Sequence, residues 1–272
     1  MIPYPNINPI AFSIGPFHIF GKTIGPFNAR WYGIAYALGF LIGYFYIKHR
    51  IKISDYFKNK SIADDLIFYS IIGVIIGGRL GYVLIYNFAY YMNHPLRIFY
   101  VWQGGMSFHG ALIGLVLVGL YISKKYNVRF YKLADEVAVI APVGIFFGRI
   151  ANFINDELWG RPSNLPWAIA FPRGGYIPRQ PSQLYEALFE GLILFLILYF
   201  SRDKLIKKEG FLFWLFVLLY GIFRFFVEFT REPDPQIGFI LGLTMGQWLC
   251  LAMILVSTIS FIILRKKWKN AT

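Results

Sequence analysis

Long apolar segments alternate with short polar connections along this chain, and seven of the apolar segments have lengths compatible with spanning helices. The third is short and starts beside a glycine-rich loop. This pattern predicts an all-α integral membrane protein with seven transmembrane helices and a single membrane domain over residues 1–272. The segments lie at about Trp31–Ile47, Asp65–Tyr86, Gly110–Ser123, Leu133–Phe153, Leu184–Phe200, Phe211–Phe229 and Gly246–Leu264.

Two stretches interrupt this series of helices. Residues 1–29 contain recurrent Pro and Gly and no basic residue before Lys22, which argues against a cleavable signal peptide. We expect them to form an irregular arm on the outer side. Residues 154–183 are predicted to be a long outer loop.

Basic residues give the spans a direction. Lys and Arg cluster after the first, third, fifth and seventh segments, and the positive-inside rule assigns these clusters to the cytoplasm. The N-terminus is then periplasmic and the C-terminus cytoplasmic. The clusters are Lys48, Arg50, Lys52, Lys58 and Lys60; Lys124, Lys125, Arg129 and Lys132; Arg202, Lys204, Lys207 and Lys208; and Arg265, Lys266, Lys267 and Lys269.

Composition removes several classes of function. With 57% hydrophobic and 15% charged residues, the chain is unlike an ordinary soluble enzyme. Because the net charge of +13 follows from topology, no nucleic-acid partner is expected. A single cysteine, Cys250, excludes an intrachain disulfide and a cysteine-based metal cluster. The sequence holds no histidine cluster either, so we expect neither a metal nor a cofactor.

Arginines, rather than lysines, dominate the remaining basic residues. Arg149 and Arg224 stand inside apolar segments, where a charged group is costly and usually marks a functional site. A planar guanidinium suits phosphate or carboxylate. We therefore expect an anion site near the outer leaflet. Independent anchoring at the membrane interface is the alternative, but it explains one or two of the polar residues at this level more readily than all five. The five are Tyr32, Arg79, His109, Arg149 and Arg224.

Helical spacing supports a shared polar interior. Asn152 follows Arg149 by three residues, and Tyr220, Arg224 and Glu228 form one stripe. Glu228 is either a structural ion-pair partner of Arg224 or a residue that positions substrate.

The connections add further polar candidates. Gly104 begins a flexible turn that could approach a ligand, and it leads to His109, either a titrating group or a structural hydrogen-bonding residue. Glu157 and Gly160 follow Arg149 into the outer loop, where we expect them to form the rim of the site; a plain helix cap is the weaker interpretation. Glu186 is interpreted as part of a helix start.

Several of these motifs resemble the prolipoprotein diacylglyceryl transferase family. The similarity covers nearly the whole chain, with the motifs in the same order. They are Gly104-Gly-Met-Ser-Phe-His-Gly110, Gly148-Arg-Ile-Ala-Asn-Phe-Ile-Asn155, Glu157-Leu-Trp-Gly-Arg161, Pro181-Ser-Gln-Leu-Tyr-Glu186 and Tyr220-Gly-Ile-Phe-Arg224.

The resemblance implies an enzyme of the bacterial cytoplasmic membrane. It would transfer the diacylglyceryl group of phosphatidylglycerol to the lipobox cysteine beside a prolipoprotein signal peptide, forming a thioether and releasing glycerol phosphate. Membrane lipids would surround it. By the same resemblance, Arg149 binds the lipid phosphate, Arg224 is the second essential arginine and His109 activates the thiol. The other motif positions are Tyr32, Asn152, Glu157, Gly160, Tyr220 and Glu228.

Departures from the family pattern bear on which residue acts as the general base that deprotonates the thiol. Gln180 and Arg30 stand where some members have histidine, which shifts the role of base to His109. Ala151 and Asp156 stand where glycine is common. From another class, a transporter of anionic cargo is the alternative, although the chain shows no internal repeat. An intramembrane hydrolase is a second alternative, but it lacks a credible nucleophile–base pair.

Overall fold

The structure is a computed structural model that describes residues 2–54, 57, 59–233 and 238–269, and most of these residues are helical. Lys58, assigned above to the cytoplasmic side, lies outside the described residues, as do the side chains of Lys266, Lys267 and Lys269. The α-helices are α1 Trp31–Ile53, α2 Ile62–Gly81, α3 Phe88–Asn93, α4 Phe108–Lys125, α5 Phe130–Ile154, α6 Ser182–Glu186, α7 Leu194–Leu205, α8 Phe211–Val227 and α9 Met245–Lys269.

Wider and tighter turns extend several of these helices. A π-helical segment, Tyr82–Tyr86, continues α2, and a second, Ala187–Ile193, joins α6 to α7 into one helix. Short 3₁₀ turns cover Pro95–Phe99 and Val101–Gln103 before α4, and Glu228–Thr230 after α8.

Every predicted span falls within a helix, and five of the described helices are long and apolar enough to cross a membrane. These five make the chain a mainly helical, multi-pass membrane protein. The helices that contain the first and third predicted spans, α1 and α4, are not among them, so seven spans and the direction of the termini stay predictions. The five are Ile62–Tyr86, Phe130–Ile154, Ser182–Leu205, Phe211–Thr230 and Met245–Arg265.

The N-terminal arm is more regular than expected, because its short runs of Ile, Phe and Thr pair as strands. Strand β2 (Ile10–Ile14) pairs antiparallel with β5 (Phe27–Arg30). Between them, a hairpin turns at Phe20 and Gly21, which both have positive φ, as a two-residue hairpin loop requires. The hairpin strands are β3 Phe17–Ile19 and β4 Lys22–Ile24.

The predicted outer loop also contains strands. β6 (Ile169–Ala170) pairs with β7 (Pro178–Arg179) and, in parallel, with β1 (Ile2–Pro3) at the start of the chain. Tyr4 fastens this sheet to the end of α5, because its hydroxyl donates to the carbonyls of Phe153 and Ile154 at 2.9 and 2.8 Å. A last pair of strands, β8 Phe239–Ile240 and β9 Leu243–Thr244, precedes α9.

Two compact units make up the chain: Met1–Gly43 with Val137–Thr272, and Tyr44–Glu136. In the first unit, small residues allow close helix packing. A Cβ at Gly191 would lie 2.7 Å from the Phe146 side chain of α5, and one at Gly221 would lie 3.3 Å from the Cys250 carbonyl of α9.

In the second unit, α2 and α4 pack along a seam of glycines. A Cβ at Gly77 would lie 2.4 Å from the Gly110 carbonyl, and one at Gly114 would lie 2.1 Å from the Gly73 carbonyl. Backbones this close exclude any side chain at the seam. Elsewhere in this unit, Arg50 and Glu136 form a buried ion pair at 2.8 Å.

Candidate active site

Three arginines and three glutamates form a connected group, here called the ion-pair cluster, within the first unit. Its members come from α5, from the helix formed by α6 and the π segment, and from α8 together with the few residues that follow it. Each charge lies beside at least one opposite charge, as buried ionised groups require. The cluster consists of Arg149, Glu186, Glu190, Arg224, Glu228 and Arg231.

Glu186 is the centre of the cluster. Its Oε2 lies 2.8 Å from Arg149 Nε and 2.8 Å from Arg224 Nη1, while its Oε1 lies 2.6 Å from Arg231 Nη1. The side chain is fully buried. One carboxylate thus fixes three guanidinium groups from separate parts of the chain.

Glu190 lies one turn further along the same helix, in the π segment, and is held less closely. Its Oε1 is 3.5 Å from Arg224 Nη1, and its Oε2 is 3.8 Å from Arg149 Nη2. A π segment inside an α-helix is rare and frequently marks a functional position. Here the wide turn carries a fully buried carboxylate towards two arginines.

Glu228 closes the cluster at the end of α8. Its Oε2 lies 2.8 Å from Arg224 Nη2, the four-residue pair that the sequence offered as one of two roles, and 3.5 Å from Arg231 Nε. Thr244 donates to its other oxygen at 3.1 Å. A Cβ at Gly246 would lie 2.6 Å from that oxygen, so a glycine is needed beside the carboxylate.

Exposure differs between the two kinds of charge. The arginine side chains keep 15–22% of their surface accessible, whereas Glu186 and Glu190 keep none. The carboxylates therefore lie behind the guanidinium groups. Fixed donors with an accessible side are suited to bind an anion.

Tyrosines surround the ion-pair cluster. Tyr220, one helical turn before Arg224, lies within electrostatic range of Glu190 and Arg149. The ring of Tyr36 packs against that of Tyr32, with centroids 5.2 Å apart, and Tyr36 lies within electrostatic range of Arg149. Of the residues predicted from sequence, Tyr32, Asn152, Glu157 and Tyr220 are thus in the same unit as both arginines.

Asn152 and Glu157 hold the rim of the outer loop. The Asn152 side chain donates to Glu157 Oε1 at 2.8 Å, and the Glu157 backbone N–H donates to the Asn152 carbonyl at 3.1 Å. Gln183, fully buried on α6, donates to the Glu157 carbonyl at 2.7 Å. The loop is therefore tied to the helix that carries Glu186.

Asp156 lies in the same turn, beyond the end of α5. Its Oδ2 accepts a hydrogen bond from the Arg173 backbone N–H at 2.6 Å, and its φ is +52°. Burial raises the pKa of its carboxyl above the ordinary value, although the Arg173 contact opposes this shift.

Gly160 has a packing role that the sequence did not reveal. A Cβ there would lie 2.3 Å from the Thr230 carbonyl and 2.6 Å from the Gln180 carbonyl. The close backbone contact includes the hydrogen bond from Arg161 N–H to Thr230 O at 2.9 Å. The absence of a side chain at Gly160 thereby allows this segment to pack against the backbone just before Arg231.

Arg79, Gly104 and His109 belong to the second unit. Arg79 is buried, and its guanidinium donates to four backbone carbonyls, those of Arg97, Ile98, Gly104 and Gly105. These four hydrogen bonds hold the glycine-rich turn, and the anion contact expected of Arg79 stays a prediction.

That turn leads into α4, where Ser107 caps the helix by accepting from the Gly110 N–H at 3.2 Å. His109 follows in the first turn with an exposed side chain. Gly104 has a φ of +87°, which favours glycine. Within the part of the chain that the structure describes, no group of three or more His, Cys, Asp or Glu could hold a metal ion.

The sequence interpretation missed three members of the cluster: Glu186, Glu190 and Arg231. A signal was present for two of them, because Glu186 and Glu190 are four residues apart and Glu190 lies inside a predicted span. Arg231 stands outside the spans, and its sequence context gives no sign that it contacts Glu186.

Comparison with known proteins agrees with the motifs. The family model described as prolipoprotein diacylglyceryl transferase matches residues 18–263. A phosphatidylglycerol–prolipoprotein diacylglyceryl transferase of Geobacter sulfurreducens is 46% identical over 97% of this chain and 98% of its own length. The enzymes of that name from Bordetella avium and Shewanella oneidensis are each 46% identical over 98% of both chains. The chain belongs to the prolipoprotein diacylglyceryl transferase family.

Proposed function

We propose that this protein transfers the diacylglyceryl group of phosphatidylglycerol to the thiol of the lipobox cysteine of a bacterial prolipoprotein, the first step of lipoprotein maturation. Family membership over nearly the whole chain supports this activity. The observation that carries the proposal for the site is the pair Arg149 and Arg224, fixed on one buried carboxylate with their outer sides accessible.

In this reaction the thiol sulfur attacks the carbon of the diacylglyceryl group that is bonded to a phosphate oxygen. The C–O bond breaks, its electron pair goes to the phosphate oxygen, and glycerol phosphate leaves. Negative charge therefore grows on the phosphate, where the guanidinium donors of Arg149 and Arg224 stabilise it more strongly than in the ground state. Because Glu186 already orients both arginines, little reorganisation is needed when that charge develops.

The thiol proton needs an acceptor, since the thiolate is the nucleophile. His109 is the proposed base, on the strength of the motif that contains it. Tyr32, Tyr220, Asn152 and Glu157 are proposed to position the headgroup or the thiol. None of these assignments requires a metal or a cofactor.

We also propose the membrane setting. The enzyme would lie in the bacterial cytoplasmic membrane with seven spans, its N-terminus periplasmic and its site towards the outer leaflet. The clusters of basic residues support this direction. The two acyl chains would stay among the apolar helices, so the lipid need not leave the bilayer.

A single experiment separates this activity from a transporter of anionic cargo. Purified protein is incubated with phosphatidylglycerol and a lipobox peptide, and the peptide is analysed by mass spectrometry. We expect a thioether-linked diacylglyceryl peptide and an equal amount of glycerol phosphate, with no product from Arg149→Ala. Lipid binding without any modified peptide would overturn the proposed activity.

A further inference from the structure

Two fully buried glutamates of the ion-pair cluster are held very differently. Glu186 lies within 2.8 Å of three guanidinium groups. Glu190 lies 3.5 Å from Arg224 and 3.8 Å from Arg149, at or beyond the limit of an N–H···O hydrogen bond. Glu190 is therefore the carboxylate with the weaker contacts to the same two arginines.

Charge balance makes this difference important. With all groups ionised, the cluster holds three positive and three negative charges and is neutral. A phosphodiester brings one more negative charge to a site whose central carboxylates are excluded from solvent. Excess buried charge is costly, and a buried group commonly changes its protonation state instead.

We propose that Glu190 is an exchangeable counter-ion. In the free protein it faces Arg149 and Arg224; when the phosphate of phosphatidylglycerol binds them, Glu190 gives up these arginines and takes one proton from solvent. The proton returns to solvent when glycerol phosphate leaves. Glu186 stays ionised throughout as the permanent partner of all three arginines. This inference rests on the proposed headgroup site.

The neighbours of Glu190 favour this exchange. In the free protein, burial and the charge of Glu186 oppose its ionised form, while the positive groups stabilise that form. Once the phosphate engages the arginines, their effect on Glu190 is reduced and the nearby negative charge is increased. Both changes favour proton uptake. The titratable and charged groups that interact with Glu190 are Arg149 from α5, Glu186 from its own helix, Tyr220, Arg224 and Arg231 from α8 and the residues after it, and Cys250 from α9.

The test measures protons taken up on binding. Full-length protein in detergent is titrated with dioctanoyl phosphatidylglycerol by calorimetry, in buffers of different ionisation enthalpy and over a pH series. The phosphodiester has no second ionisation, so a pH dependence reports on the protein. We expect uptake approaching one proton per lipid, and an affinity that falls about tenfold per pH unit above the pKa of Glu190 in the free protein.

Glu190→Gln and Glu232→Gln form a matched pair. The first should bind the lipid with no proton uptake and with an affinity that does not change with pH. The second removes an exposed carboxylate that pairs with Arg179 outside the cluster, and it should keep the proton uptake and the affinity of the wild type. Proton uptake in Glu190→Gln equal to that in Glu232→Gln would overturn the proposal.

Wild-type protein and Arg149→Ala also decide the matter if Glu190→Gln fails to fold. Binding without proton uptake in the wild type, together with loss of binding in Arg149→Ala, would overturn the exchange while leaving the headgroup site standing. If Arg149→Ala binds the lipid as tightly as the wild type, the headgroup site itself fails.

Discussion

Arg149 and Arg224 share one carboxylate oxygen: Nε of the first and Nη1 of the second each lie 2.8 Å from Oε2 of Glu186. The two arginines come from α5 and α8, and the glutamate from the helix that starts with α6. Because both guanidinium groups pair with the same buried carboxylate, the position of each is constrained. This relationship explains how two charges that are costly in a bilayer can be retained in fixed positions.

Replacement of Arg149 by Lys should reduce diacylglyceryl transfer at least ~100-fold, because an ammonium cannot donate to Glu186 and phosphate in the same planar geometry. Arg149→Ala should abolish transfer. The measurement is the rate of glycerol phosphate release from phosphatidylglycerol. As a control, Arg202→Ala removes an arginine that pairs with the adjacent Asp203, and it should keep wild-type activity. Full activity in Arg149→Ala would exclude the proposed contact between Arg149 and the lipid phosphate.

Replacement of His109 by Asn should remove the base while keeping a polar side chain of similar size. We expect a rate lower by roughly 100-fold, and loss of the rise in rate with pH that a histidine base produces. Transfer rates over a pH series in membranes provide the measurement. An unchanged rate and pH profile would remove His109 from the chemistry.

Arg79→Gln distinguishes the structural role from headgroup binding. Four carbonyls lose a charged donor, so we expect the free energy of unfolding to fall by about 2 kcal/mol or more. In the protein that remains folded, KM for phosphatidylglycerol should stay near the wild-type value. A raised KM with unchanged stability would instead support the headgroup contact predicted from the sequence.

Gly160→Ala should destabilise the protein by about 1–3 kcal/mol, because its Cβ would clash with two backbone carbonyls that cannot move independently. Activity should fall as well, because the clash would displace the backbone of Thr230, which directly precedes Arg231. Gly144→Ala is the matched control: a Cβ there meets nothing within 4 Å, and alanine favours the helix. Thermal unfolding in detergent measures both, and equal stability of the two variants would contradict the packing role.

Asp156→Asn should stabilise the protein increasingly as pH rises. The folded-state pKa of this carboxyl is raised, so its contribution to stability is fully present below the unfolded pKa of about 3.9 and is lost as pH rises through the folded value. Asn does not ionise, and it tolerates the φ of +52°. Melting temperatures of both proteins from about pH 4 to pH 7 test this, and a difference independent of pH would refute it.

The positions of the helices were predictable from the sequence, because they depend on local hydrophobic pattern. Apolar length located helices at every predicted span, and two arginines within those helices are members of the ion-pair cluster. The strands of the N-terminal arm were missed because recurrent Pro and Gly suggested irregular structure, whereas the turn at Phe20 and Gly21 allows short β-branched and aromatic runs to pair.

Hydropathy, basic clusters and the motifs are properties of neighbouring residues, so the sequence by itself determined the membrane class and the family, and it singled out Arg149 and Arg224. Only the tertiary structure decided their charge environment. Glu186 meets Arg231 across 45 positions, and Glu190 meets Arg224 across 34. No local spacing encodes such contacts, because they depend on how separate helices pack. The same packing places the Arg79 guanidinium against four backbone carbonyls, which its sequence context did not indicate.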